Sequence, residues 1–255
     1  MHAVKQVIAI FMLTMTCGWA AAETAPLPRN RPDTVAETPD GNPPASDETA
    51  PSACRLRLTS RLAVAPSLPP ILGPGECGGE DLVELEAVVL ADKSRVAVTP
   101  PAIVNCAFAE AIVAWVRQDI LPATRSLGSA LKSIDNYASY DCRGRNRVIG
   151  AKLSEHGKAN ALDVRSLALA NGKVVRLTDL RLDKDFREGL RRRTCSRFTT
   201  VLGPGSDGYH EDHIHVDLAE RRGGHRMCQW EIREEEEASP VSSAVPLPRP
   251  RPARS

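Results

Sequence analysis

Three of the six histidines in this chain crowd into one short stretch, His210-Glu211-Asp212-His213-Ile214-His215-Val216-Asp217. A fourth belongs to a second cluster that runs from Ser154 and His156 to Asp163, and only His2 and His225 lie elsewhere. Imidazoles and carboxylates are good ligands for a divalent metal of borderline softness, and two clusters far apart in sequence can furnish a site of three ligands. Three ligands leave a fourth position for water, which makes a metal centre catalytic rather than structural. A His-x-His pair alone is a weak signal, because many proteins without a metal carry one. A turn histidine and a surface aspartate are equally ordinary. It is the presence of both clusters that favours a metal.

Each cluster needs a strand beneath it. On an extended Ile214–Leu218, residues 213, 215 and 217 share one face and 214, 216 and 218 the other. The apolar set then packs on a core while both imidazoles look into a cleft. The glycine-rich run Gly203 to Gly208 lies just upstream, where it can shape the rim. Asp163 falls on a second strand, Ala161–Arg165, opposite Leu162 and Val164. A carboxylate there is costly to bury without a cation or hydrogen-bond donors. Residues 212 and 215 face opposite sides of a regular strand, so Asp212 is expected in the turn before it or on a bulge.

The rest of the domain supplies the frame. Leu82–Leu90 and Arg95–Val98 suit strands joined by a turn at Asp92–Ser94. Pro100-Pro101 are read as opening a helix over Ala102–Val116 that ends near Pro122, since apolar residues there recur at three and four. Leu131–Tyr140 suits a strand approaching Cys142, and a hairpin around Asn171-Gly172 continues the Asp163 strand. Asp183 caps a charged helix reaching Arg193, while Thr199–Leu202 is short and ambiguous. The mix predicts an α+β fold, a mainly antiparallel sheet flanked by helices.

Composition bounds the setting. Lys5, the apolar run Val7–Leu13 and Ala20-Ala21-Ala22 describe a secretory signal peptide, residues 1–22, cut near Ala22. The run is too short for a stable membrane span. Cys17 is expected to leave with it; a retained, lipidated Cys17 is the alternative. Its removal takes away one lysine and no acid, so 33 basic residues become 32 against 32 acidic. That balance excludes nucleic acid as a partner, because phosphate binding wants a clear basic excess. Residues 23–52 are a Pro-rich linker with too little apolar material for a core, 53–231 are one domain, and 232–255 are an acidic, then Pro/Arg-rich tail. Both arms are expected to be disordered. Pro26–Pro32 nearly repeats as Pro246–Pro252, either as chance low complexity or as basic arms for an acidic envelope polymer.

Six cysteines remain after the leader: Cys54, Cys77, Cys106, Cys142, Cys195 and Cys228. An even number in an exported chain predicts disulfides in a periplasmic or secreted protein. Pairing of sequence neighbours gives Cys54–Cys77, Cys106–Cys142 and Cys195–Cys228. The absence of any Cys-x-x-Cys pair argues against a cysteine–zinc cluster.

Ser154-x-His156 with Asp163 seven residues on, followed by Asp212-His213-x-His215, resembles the zinc peptidases that cut D-alanyl bonds in peptidoglycan. These are the D-Ala-D-Ala carboxypeptidases and murein endopeptidases, whose fold is shared by the hedgehog signalling domain. More closely, Tyr140 to Arg143, Ser154 to His156, Ala159 to Asp163 and the long run Gly203 to Asp217 resemble the bacterial extensin-like C-terminal domain family, over residues 54–230. The resemblance implies the peptidase-like fold and a zinc ion held by His156, Asp163 and His215. It implies Asp212 as acid–base group, His213 beside the metal to stabilise an oxyanion, and Arg143 on a substrate carboxylate or carbonyl. Ser154 and Asp217 then fit as groups that orient the ligands, with His210 at the rim. If Asp212 does not reach the site, Glu211 or His210 becomes the base. Ala159 stands where the peptidases often carry glycine.

The expected function is that of an exported zinc hydrolase acting on peptidoglycan stem peptides or cross-links next to D-alanine. A non-catalytic envelope-binding module that kept the fold is the alternative, because a scaffold does not fix an activity. A zinc ion that only stabilises the folded domain is a third possibility.

Overall fold

The computed structural model describes residues 51–234. The expectations for the leader, for most of the linker and for most of the C-terminal tail lie outside them. Among the described residues, no helix is long and apolar enough to cross a membrane.

The chain enters through a one-turn helix, α1 (Ala53–Arg57), and four two-residue strands, β1 (Ala63–Val64), β2 (Ser67–Leu68), β3 (Ile71–Leu72) and β4 (Gly78–Gly79). Two long strands follow, β5 (Leu82–Val89) and β6 (Arg95–Asn105). Their apolar residues alternate onto a buried face, with Val83, Leu85, Val96 and Val104 sealed from solvent. A side chain of this kind stabilises the fold by roughly 1.5–3 kcal/mol when fully buried.

Pro100-Pro101 do not open a helix: strand β6 runs through them to Asn105. The reason lies in the pairing with β5, whose register jumps from Leu85 opposite Ala102 to Ala87 opposite Ala97. The prolines therefore occupy a bulge, where no ladder N–H is demanded of them. The buried Asn136 amide donates to both their carbonyls, at 3.0 and 3.2 Å. Helix α2 (Cys106–Trp115) starts only after Asn105, whose side chain accepts the Phe108 N–H at 2.8 Å. A π-helical turn (Val116–Ile120) leads into α3 (Leu121–Thr124), so Pro122 sits in the first turn of a last short helix rather than ending the segment.

Next come β7 (Leu131–Ala138), β8 (Ala161–Leu169), β9 (Val174–Arg176), α4 (Lys184–Arg197), β10 (Thr200–Leu202), β11 (Ile214–Asp217) and β12 (Met227–Gln229). Asp183 caps α4, as its spacing predicts, by accepting the Phe186 N–H at 2.8 Å. The helices α2 and α4 meet around aromatic rings: Trp115 stands edge-on to Phe198 and donates its indole N–H to Thr194 at 3.0 Å.

The main sheet has ten strands in the order β1-β5-β6-β7-β8-β11-β10-β12, with β2 also on β5 and β9 on β8. Only β6–β7 and β10–β12 pair in parallel. The fold is therefore α+β with a mainly antiparallel sheet. Strands β3 and β4 form a separate ribbon.

Three disulfides staple the domain: Cys54–Cys106, Cys77–Cys142 and Cys195–Cys228. The last follows the sequence-neighbour rule and the other two overturn it. Cys106 begins α2 and meets Cys54 of α1, while Cys77 of the β3–β4 ribbon reaches Cys142 in the loop after β7. Spatial adjacency of elements, not sequence adjacency of cysteines, sets the pairing.

Candidate metal centre

Strands β7, β8 and β11 are consecutive neighbours in the sheet, and the site is built where they meet. The antiparallel register places His215 directly opposite Asp163, and Ile214 opposite Val164. Ile214 and Val216 are sealed in the core, so the alternation sends His215 and Asp217 to the other face, as a strand reading of this segment requires. His156 arrives from a separate 3-10 turn, Glu155–Lys158, which Ser154 caps by accepting the His156 N–H at 3.4 Å. Ser154 thus shapes the turn and does not touch an imidazole nitrogen of the cluster. The turn closes through Ala159 in the left-handed region, at φ 52°. Glycine takes that region at no steric cost, whereas the alanine here holds it at some cost.

His156 Nε2 lies 3.2 Å from Asp163 Oδ1 and 3.1 Å from His215 Nδ1, and His215 Nδ1 lies 2.8 Å from the same Asp163 oxygen. All three side chains are buried. Each imidazole is fixed through its other nitrogen. His156 Nδ1–H donates to the Ser139 carbonyl at 2.6 Å, and His215 Nε2–H donates to Asp217 at 3.0 Å. The remaining nitrogens then turn lone pairs toward one another and toward a carboxylate, an arrangement that only a proton or a cation between them makes favourable. Asp217 also accepts the Ala219 N–H at 2.9 Å, which holds it in place.

The electrostatics agree. Burial disfavours a charged imidazole at His215, yet hydrogen bonds to Asp163 and Asp217 outweigh it and raise the group to about 9. Burial likewise pushes the Asp163 carboxyl up, but His156 and His215 hold it well below the usual carboxylate range. The cluster draws positive charge, which a divalent cation would supply with the proton displaced. Ligand atoms about 2.0–2.1 Å from a tetrahedral zinc lie roughly 3.3 Å apart, so the observed spacing needs only slight spreading. The donor set fits such an ion. A second grouping, Cys54, Asp81 and Cys106, does not, because its two sulfurs are joined as a disulfide.

Around the cluster, Asp212 and His213 occupy the bend before β11, where strand geometry requires Asp212 to be. His213 Nε2 faces Asp163 Oδ2 at 3.6 Å, and its Nδ1 lies 2.9 Å from Asp212. Asp212 is mostly exposed and takes a further ion pair from Arg165 at 3.4 Å. The Arg165 guanidinium stacks 3.6 Å above the Tyr137 ring, which in turn packs against His213. Sequence reasoning missed both: Arg165 falls on the site face two positions from Asp163, whereas no recognised motif marks Tyr137. His210 is buried beside His213 and bonded to Asp207 at 2.7 Å; burial lowers its imidazole below the ordinary value. Glu211 points elsewhere, accepting the Gly205 N–H at 2.8 Å and pairing with Arg233. Arg143 donates to Asp141 at 3.0 Å and reaches within 3.9 Å of Asp163.

Two cavities flank the cluster. One, of about 200 Å³, is lined by His156, His215 and Asp217; the other, of about 280 Å³, by Asp163, His213 and Tyr137. Arg143 and His210 border both.

Fold and site together define a disulfide-stapled α+β domain with a buried His/Asp/His cluster fit for a divalent cation. Residues 52–229 match the family model described as extensin-like protein C-terminus, and the chain belongs to that family. Searches of curated proteins and of solved structures gave no match.

Proposed function

We propose that this chain is an exported zinc-dependent hydrolase that cuts peptidoglycan peptides next to D-alanine. The observation that carries the proposal is the convergence of His156 Nε2, Asp163 Oδ1 and His215 Nδ1, each imidazole fixed by a partner on its far nitrogen. His156, Asp163 and His215 would hold the ion, and zinc bound there would supply Lewis acidity and a water of lowered pKa. Three ligands from the chain suit a catalytic centre better than a structural one, which is normally closed by four. The resemblance of the motifs to the D-alanyl peptidases supplies the substrate class, and three disulfides suit an oxidising compartment.

The residues beside the cluster divide the remaining work. Asp212 accepts the Nδ1–H of His213 and so leaves Nε2 as the acceptor that faces the site. His213 is thereby the group placed to take a proton from a nucleophilic water and return it to the leaving amine, with Asp212 orienting it. The sequence assigned the base to Asp212; its contact with the outer nitrogen of His213 favours the orienting role. Arg143, at the border of both cavities, is placed to hold a substrate carbonyl or carboxylate.

Purified protein incubated with muropeptides containing D-Ala-D-Ala and D-Ala–diaminopimelate bonds should show zinc-dependent cleavage. His215→Ala should abolish both zinc retention and cleavage, and His213→Gln should abolish cleavage alone. Full zinc occupancy with no muropeptide cleaved would replace the hydrolase by an envelope-binding module.

A further inference from the structure

The loop after β7 arches over the cluster, anchored by the Cys77–Cys142 disulfide at one end and by the Gly144–Leu153 bridge between its limbs. At its crest two successive residues other than glycine take left-handed backbone conformations, Asn146 at φ 54° and Arg147 at φ 59°. Such a conformation is costly for a residue that bears a side chain, and strain of this kind persists only where the surroundings enforce it. Here the Asn146 amide donates to Asp207 at 3.0 Å and pins the crest to the glycine-rich loop opposite. The reversal sends the flanking arginines to different places: Arg145 lines the cavity of His156 and His215, whereas Arg147 lines the cavity of Asp163 and His213.

Both guanidiniums have donors to spare. Arg147 spends one N–H on Asp141 at 2.6 Å, and Arg145 makes no ion pair among the described residues. Acids sharing the first cavity are already engaged: Asp207 by His210 and Asn146, Glu155 by Asn160, Asp217 by His215. Among the described residues Arg145 is therefore without a counter-charge, and Arg143 and Arg147 share the one carboxylate of Asp141, so net positive charge is left for the ligand.

We infer that Arg145 and Arg147 are specificity residues, each taking a substrate carboxylate, one on either side of the bond presented to the cluster. The ligand is then a peptide with a free carboxylate on each flank of the bond presented, supplied by a diaminopimelate side chain or by a terminal D-alanine. This rests on the hydrolase proposed above and narrows its substrates to peptides with a carboxylate on both flanks of the bond cut.

The test uses a cross-linked muropeptide dimer with free diaminopimelate carboxylates, and the same dimer amidated on the donor stem, on the acceptor stem or on both. Two readouts are taken: KM for cleavage, and calorimetric affinity for the zinc-loaded full chain carrying His213→Gln to stop turnover. Amidation of either stem should weaken binding about tenfold or more, as loss of a charge-assisted bond predicts. Arg145→Gln should erase the preference on one stem and Arg147→Gln on the other. Indifference to amidation, or variants that keep both preferences, overturns the inference. Cleavage that persists in either case leaves the hydrolase itself intact. Acid-selective binding that the variants abolish, with no cleavage of any muropeptide, sinks the hydrolase and leaves the two arginines as carboxylate readers.

Discussion

Asp217 and Asp212 each steady one imidazole through its outer nitrogen, and their removal should separate two properties. Asp217→Asn leaves the ion with a less basic, less fixed His215, so zinc affinity should fall by about 10–100-fold in a chelator competition. Asp212→Asn touches neither of the ligand imidazoles. It should leave zinc affinity unchanged and lower kcat by up to about 10²–10⁴-fold, the worth of the acid–base group, His213, that it no longer orients. A parallel loss of both properties in either variant would contradict the division. At this scale the sequence was partly legible. The period of two in His213-x-His215-x-Asp217 revealed a shared face because strand geometry is that regular. The Ser139 carbonyl on His156 was invisible, since every residue carries a carbonyl and only the fold selects one. The position of Asp212 on the far side of His213 was equally hidden, because it depends on the bend before β11.

Local backbone conformation positions these groups, and two places should be sensitive. Ala159 is buried with φ 52°, a conformation alanine tolerates at a cost and a β-branched residue does not. Ala159→Val should destabilise the domain by about 2–3 kcal/mol and loosen His156, read by denaturant unfolding and by zinc affinity. Asn105→Ala removes the cap of α2 and should cost about 1 kcal/mol in the same unfolding measurement, with zinc affinity untouched. The start of this helix was misread from sequence for a physical reason. Proline suits both a helical first turn and a strand bulge, and only the register against β5 distinguishes them. Where a single local signal dominates, as with Asp183 before α4 or Asn171-Gly172 between β8 and β9, sequence and structure agree.

Across the whole molecule, disulfides tie together what the sheet alone does not. Peptide mapping without reduction should recover Cys54–Cys106, Cys77–Cys142 and Cys195–Cys228; any link between Cys54 and Cys77 would contradict the fold. Replacing Cys77 and Cys142 together by serine opens a loop closed across 65 residues and should cost up to about 4 kcal/mol of stability. The fold class was readable because alternation and capping are local. The connectivity was not, because six cysteines permit 15 pairings and sequence contains no distances.

The Cys77–Cys142 bridge ends one residue before Arg143, at the foot of the loop that bears Arg145 and Arg147. Reduced protein should therefore be nicked by protease within residues 144–150 while the sheet stays resistant, and should lose affinity for muropeptides. Without the Cys77–Cys142 bond, the cleft would have a floor but no fixed roof. On the proposed export, oxidation would finish the roof, and the bond would act as a clock that lets the cleft mature only after the chain has left the compartment that made it.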